Sequence, residues 1–319
     1  MTTTDAPDLV ADIGGTNARF ALVRAGAVEE VRVLRCADFP TMEAAAEAYL
    51  SGLAPRVRPR RAAMSVAGPV TGDSFSMTNH LWTFSRREAE ARLGLDRLVL
   101  VNDFTAVALA VPHLGPGDRR QVGPGAAVGG HPIGVLGPGS GLGVSGLVPD
   151  GRRWVALAAE GGHVTAPAVT DREAAVLSHL RKRFSHVSAE RVVSGMGLQN
   201  LYEAVSVLGG EEPAALSPAE ISAAAIAGTD AACVEALEMF CAILGTVAGN
   251  LALTLGARGG VFIAGGIVPK LGPFFDRSAF RARFVEKGRL RPFLEPMPTA
   301  VVTHPFPAFL GLRAVLAEA

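Results

Sequence analysis

Short apolar runs broken by glycine turns open the chain. Apolar positions over 9–13, 18–24 and 31–35 predict three short strands in an antiparallel meander. Thr41 stands where a helix N-cap belongs, with Ala44, Ala45, Ala48 and Leu50 behind it, and 62–66 reads as a buried strand entering the turn Gly68-Pro69. After an irregular stretch holding Thr78-Asn79-His80-Leu81-Trp82, a short helix over 86–93 leads to the apolar strand 98–101. That strand delivers Asn102-Asp103 at its carboxyl end, the position from which α/β proteins face their ligands, and a helical run over 105–114 follows.

A Gly/Pro-rich connection over 115–130 separates this α/β segment from a second meander, 133–136, 142–148 and 154–158, whose hairpin turn is Pro149-Asp150-Gly151. The plan of strand, glycine turn, strand thus occurs once in each half, with Gly137-Pro138-Gly139-Ser140-Gly141-Leu142-Gly143 as the second turn. Helices are expected over 172–184, 195–208 and 217–227, the last opened by the capping box Ser217-Pro218-Ala219-Glu220, and from about Asp230 onward. Strand 260–264 ends in Gly265-Gly266, and strand 300–303 precedes a helix over 308–317 expected to pack back on the first lobe. The stretch 239–257 is nearly uncharged and long enough for a bilayer of about 30 Å. It carries Asn250, is rich in Gly, Ala and Thr, and continues a pattern containing Asp230, Glu235 and Glu238, so a helix buried between a sheet and neighbouring helices is the expectation.

Length changes the picture first: 319 residues exceed what one core usually holds, so two lobes with a cleft are expected. Thirty basic residues balance thirty acidic ones, with no basic stripe interleaved with aromatics, which argues against nucleic acid or an anionic membrane as partner and for a small metabolite. Cys36, Cys233 and Cys241 form no CxxC pair and no disulfide framework, which suits a reducing cytoplasm. Residues 1–8 lack the charged and apolar regions of a signal peptide.

Candidate chemistry centres on Asp12-Ile13-Gly14-Gly15-Thr16-Asn17, a carboxylate at a strand end before a turn rich in backbone amides. Such a turn can cradle phosphate, with Asp12 holding magnesium directly or through water; a hairpin turn with an exposed Asp reads the same six residues. Gly141-Leu142-Gly143-Val144-Ser145-Gly146 matches GxGxxG in form, but a strand and not a helix follows, so a nicotinamide cofactor is not expected. Lys182, Lys270 and Lys287 are the only lysines and none follows a Walker A loop, which leaves backbone amides and a metal ion to meet nucleotide charge. Glu160-Gly161-Gly162-His163 is too sparse for zinc and suits hydrogen bonding to a polyhydroxylated substrate. Glu190, taken alone, reads as a charge near a helix start.

Taken together, Asp12 to Asn17, Asn102-Asp103, Glu160 to His163 and Gly265-Gly266 resemble the bacterial glucokinases of the hexokinase/actin-like superfamily. The resemblance runs in order through 9–20, 65–82, 101–108, 136–146, 160–164, 186–201 and 245–270. It is to the non-ROK branch, because no cysteine lies between Cys36 and Cys233, where ROK sugar kinases carry a zinc motif. It implies a two-lobed α/β actin-like, ribonuclease H-like fold with a central cleft, a small domain of 1–110 plus 303–319, and a large domain of 111–302. The implied activity is magnesium- and ATP-dependent phosphorylation of glucose at its 6-hydroxyl, the first step of glycolysis, by a cytoplasmic homodimer. On the same resemblance Asn102, Asp103, Glu160, His163 and Glu190 bind the sugar, with Asp103 as general base. Gly14, Gly15, Thr16 and Asn17 form one phosphate loop with Asp12, and Gly139, Ser140 and Gly141 form the other. Gly265 and Gly266 lie beside the adenosine, and the loop from Asn79 to Trp82 flanks the sugar. Two departures stand out: Ser140 replaces an expected Thr, and 303–311 replaces an Asn-Pro-Gly-like turn. A kinase for another hexose, or a sugar-responsive binding protein without turnover, are the competing readings.

Overall fold

The computed structural model describes residues 6–53, 57–68, 70, 72–76 and 82–318, so residues 1–5, Pro69 and Asn79 to Leu81 of the expected sugar-flanking loop lie outside it. Contacts divide the chain into one unit of 1–115 with 304–319 and another of 116–303.

The first unit holds strands β1 (Asp8–Ile13), β2 (Asn17–Arg24), β3 (Ala27–Arg35), β4 (Arg61–Val66) and β7 (Arg97–Asn102), with a small hairpin of β5 (Ser74–Ser76) and β6 (Thr83–Ser85). The large sheet runs β3-β2-β1-β4-β7. β1 and β2 pair antiparallel through the glycine turn, whereas β1, β4 and β7 run parallel. Alternation along β1 sends Leu9, Ala11 and Ile13 to one face, against Met42, Ala45 and Tyr49 of the helix Met42–Ser51. Val10 goes to the other, against Ala106, Phe309, Leu312 and Leu316 of the helices Asp103–Ala110 and Pro307–Glu318. Those two helices touch so closely that a Cβ on Gly311 would overlap the carbonyl oxygen of Ala106. Because β1, β4 and β7 are in parallel register, Ile13, Val66 and Asn102 end side by side, and the polar residues around them emerge on one sheet edge.

The second unit adds β8 (Arg119–Gln121), β9 (Ile133–Pro138), β10 (Leu142–Pro149), β11 (Trp154–Leu157), β12 (Val261–Ile263) and β13 (Thr299–Val302), in the order β11-β10-β9-β12-β13-β8. Leaving β8 aside, order and direction repeat those of the first unit, so the duplication seen in the two meanders extends to five strands. The apolar stretch expected to be buried is the helix Ala231–Leu255, whose Phe240, Cys241, Ile243 and Leu244 are fully enclosed. It packs against Gly195–Leu208, Pro218–Ala227 and Phe280–Val285, and Leu251 lies against Gly134 of β9.

Three local readings change. The connection 115–130 contains β8, an edge strand whose Arg119-Arg120-Gln121 shows no apolar alternation because a sheet edge carries polar side chains; Arg120 pairs with Asp276. The helix expected over 105–114 starts at Asp103, with Asn102 as its cap, and ends in a 3-10 turn, Val111–His113. The helix expected over 172–184 stops at Leu180.

One buried ion pair ties the second unit's helices together. Glu173 and Arg283, whose side chains are 4% and 10% exposed, meet through two hydrogen bonds of 2.7 and 3.1 Å. Arg283 also donates to Thr246 Oγ1, while Glu173 accepts the Thr170 N–H in a capping box and the Val169 N–H beside it. Burial pushes the Glu173 carboxyl up, but Arg283 and those N–H groups outweigh it and hold its pKa below the ordinary 4.5. Removing one partner strands a buried charge, so Glu173→Ala should cost about 3–5 kcal/mol in urea unfolding. A depressed folded pKa contributes stability above the unfolded value and loses it as pH falls through the folded one. The urea midpoint of the native chain should therefore fall more steeply below pH 4.5 than that of Glu173→Gln; parallel curves would refute this.

Candidate active site

In the first unit, the turn from β1 to β2 is closed by the Gly14 N–H donating to Asn17 O at 3.0 Å. Cys36 braces it from behind: its N–H donates to Thr16 O at 2.9 Å and its Sγ–H to Gly14 O at 3.3 Å. Burial pushes the Cys36 thiol up, which keeps it a protonated donor. Asp12 precedes the turn and is gripped from both neighbouring strands. Antiparallel register sets Arg19 opposite it, and Arg19 Nη1 donates to Oδ2 at 2.9 Å; parallel register sets Ser65 opposite it, and Ser65 Oγ donates to Oδ1 at 2.8 Å. Carboxylate oxygens are the hard donors magnesium takes, and magnesium commonly binds one or two carboxylates together with substrate phosphates and water. With Arg19 already on Oδ2, the geometry fits an ion held through water better than direct ligation.

On the same sheet edge, Asn102 Oδ1 accepts the N–H groups of Phe104 and Thr105 at 3.0 and 3.1 Å, capping the helix, while its Nδ2 donates to Gly68 O at 3.2 Å. Those bonds fix the orientation of the amide expected to read the sugar. They also make Asp103 the first helical residue, half-buried, with Oδ1 accepting the Phe104 N–H at 2.7 Å.

In the second unit, the candidates gather around the turn from β9 to β10. The Gly139 N–H donates to Gly141 O at 2.8 Å, and Gly139 O accepts the Gly195 N–H at 2.9 Å from the start of the helix Gly195–Leu208. Glu190 Oε2 accepts the Leu142 N–H at 2.9 Å and fills the place a Cβ on Gly141 would take. The 3-10 turn Gly161–His163 lies on β10 so tightly that Cβ atoms would drive Gly161 into Val144 and Gly162 into Leu142 O. Glu160 and His163 flank this contact and are exposed. Thr165 bridges Ser188, with Ala166 N–H to Val187 O at 2.9 Å and Ala189 N–H to Val164 O at 2.8 Å, which carries Glu190 in beside the 160–163 turn. Gly265, at φ +84°, presses against Pro138 O, so Gly265-Gly266 also borders the second turn.

The structure thus brings Asp12, Gly14 to Asn17, Asn102 and Asp103 to one edge of the first sheet, and Glu160, His163, Glu190, Gly139 to Gly141, Gly265 and Gly266 around one turn of the second. Among the described residues, no group of three or more His, Cys, Asp and Glu side chains is placed to hold a metal alone. Sequence reasoning missed Arg19, Ser65 and Cys36. Arg19 was readable, since a hairpin closed by Gly14 and Asn17 puts residues 12 and 19 in register; Ser65 and Cys36 required the tertiary pairing.

A family model described as Glucokinase matches residues 9–319. The chain is 51% identical over 312 residues to a glucokinase of Paramagnetospirillum magneticum, covering 97% of both chains. It is 51% identical over 318 residues to a glucokinase of Aromatoleum aromaticum, covering 98% of this chain and 95% of that one. The crystal structure of a glucokinase from an Antarctic psychrotroph superposes with a TM-score of 0.90 at 38% identity, over 98% of this chain and 99% of that one.

The close approach of the 160–163 turn to β10 makes a stability prediction. Gly162→Ala should destabilise the protein by about 1–3 kcal/mol, because its Cβ overlaps backbone that cannot yield cheaply. Gly139→Ala, with nothing within 4 Å of its Cβ, should stay within about 0.5 kcal/mol. Equal losses in denaturant titrations of the two variants would show that the contact does not matter.

Proposed function

The chain belongs to the glucokinase family, and on that premise we propose that Asp103 is the general base in transfer of the terminal phosphoryl group of ATP to the 6-hydroxyl of glucose. ATP-dependent phosphorylation of glucose is the activity of this chain. The observation that carries the base is the Asn102 cap, which fixes Asp103 at a helix N-terminus on the same sheet edge as the first glycine turn. Asp103 accepts the proton of the attacking hydroxyl, and the loose transition state asks little more of the protein than alignment and charge on the phosphate oxygens.

The other groups take the remaining tasks. Glu160, His163, Glu190 and Asn102 read the sugar's hydroxyls, each of which both donates and accepts, so a missing or inverted hydroxyl leaves a polar group unpaired. Amides of the Gly14 to Asn17 and Gly139 to Gly141 turns meet the phosphates in place of the lysine a P-loop would supply, and Gly265-Gly266 offers a side-chain-free surface to the adenosine. A magnesium ion held through water by Asp12 would neutralise charge on the phosphates. Three buried free thiols suit a cytoplasmic setting, and the family resemblance carries the homodimer and the place in glycolysis.

In a coupled assay Asp103→Asn should lower kcat by about 10² or more, while calorimetry shows glucose still bound. A variant that retains full turnover removes Asp103 from the role of base. Replacing magnesium with chelator should abolish ADP release; undiminished activity would remove the ion from the reaction.

A further inference from the structure

Glu190 Oε2 bonds the turn to which the proposed function assigns the phosphates, while the same reading assigns its carboxylate to the sugar. From the geometry of the second turn we infer that Glu190 couples the two binding events, so that sugar on one carboxylate oxygen sets the shape of the nucleotide's phosphate loop through the other. This rests on the glucokinase reading of the site and goes beyond it, because it makes Glu190 a positioning residue for the nucleotide as well as a sugar ligand.

The second turn is held at both ends by one short segment. Its entry is fixed where Gly139 O accepts the Gly195 N–H, and its exit where Glu190 Oε2 accepts the Leu142 N–H at 2.9 Å. Between these anchors, Ser194 Oγ donates to Glu190 O at 2.8 Å and accepts the Gly197 N–H at 2.9 Å, so hydrogen bonds tie the backbone from 190 to 197 together. The entry anchor is backbone to backbone and cannot move alone. The exit anchor is a side chain with several rotatable bonds, and it is the adjustable one.

Gly141 supplies the second part. A Cβ at that position would overlap Glu190 Oε2, so the turn admits the carboxylate only because residue 141 has no side chain. Sugar hydroxyls donating to Oε1 would order the carboxylate, and the ordered carboxylate would hold the Leu142 N–H and the exit of the turn. Whichever substrate arrives first bears the cost of ordering Glu190, and the second binds a site already ordered; the coupling is reciprocal by linkage.

Calorimetric titration of AMPPNP with magnesium into the full chain, with and without saturating glucose, tests this. Glucose should tighten AMPPNP binding to the unmodified chain by about fivefold or more. Glu190→Ala should bring that ratio to about one and weaken AMPPNP binding even without sugar. Glu190→Gln keeps an acceptor for the Leu142 N–H, so AMPPNP binding without sugar should stay within about twofold while the KM for glucose rises. Gly141→Ala leaves the carboxylate's chemistry intact but displaces it, and should raise the KM for glucose although residue 141 belongs to the phosphate loop. An unchanged ratio in Glu190→Ala, or a glucose KM unmoved in Gly141→Ala with the melting temperature retained, overturns the coupling. If Glu190→Ala leaves the glucose KM itself unchanged, the assignment of Glu190 to the sugar fails instead.

Discussion

Backbone approach without intervening side chains is the constraint on which the candidate residues of the second unit depend. At Gly141, Gly162 and Gly265 a Cβ would overlap, respectively, the Glu190 carboxylate, the Leu142 carbonyl and the Pro138 carbonyl. These contacts converge on the few residues joining β9 to β10. Each brings a different piece of chain to the same turn, and each would be pushed outward by a single methyl group. The glycines therefore do more than permit tight turns: they set how near the carboxylates and the imidazole can stand to the loop beside them.

The two units share a strand order, yet each braces its glycine turn differently. In the first, a buried thiol and N–H of Cys36 hold the turn from behind, and the preceding carboxylate is locked between Arg19 and Ser65. In the second, a backbone bond from Gly195 and the Glu190 side chain hold the two ends. The first turn is thus held by bonds that need no substrate, with its acidic residue already paired. The second is held at its exit by a side-chain carboxylate, which has rotatable bonds that a backbone anchor lacks.

Much of this was legible in the chain. The two meanders, the Asn102-Asp103 step at a strand end and the capping box at Ser217 are local patterns, written in neighbouring residues, and they reappear with shifts of a few positions. What escaped was non-local or polar. β8 hides because Arg119-Arg120-Gln121 has no apolar period and becomes a strand only by pairing with β13. Ser65 and Cys36 are ordinary residues until parallel register and a buried turn bring them to Asp12 and Gly14. Glu190, read alone, was a charge near a helix start; its bond to Leu142, 48 positions away, is a product of the fold.

The helix Pro307–Glu318 covers Val10 and Ala63 in the first unit, from more than two hundred positions downstream. During synthesis this matters. Residues 116–303 are contiguous and can complete their own core as they leave the ribosome, whereas the unit made first must wait with one apolar sheet face only partly covered, by the helix Asp103–Ala110, until residues 304–318 emerge. The earliest part of the chain to be made is thus the last able to finish folding, and it is the interval of translation, rather than final stability, in which that face is most open to wrong partners.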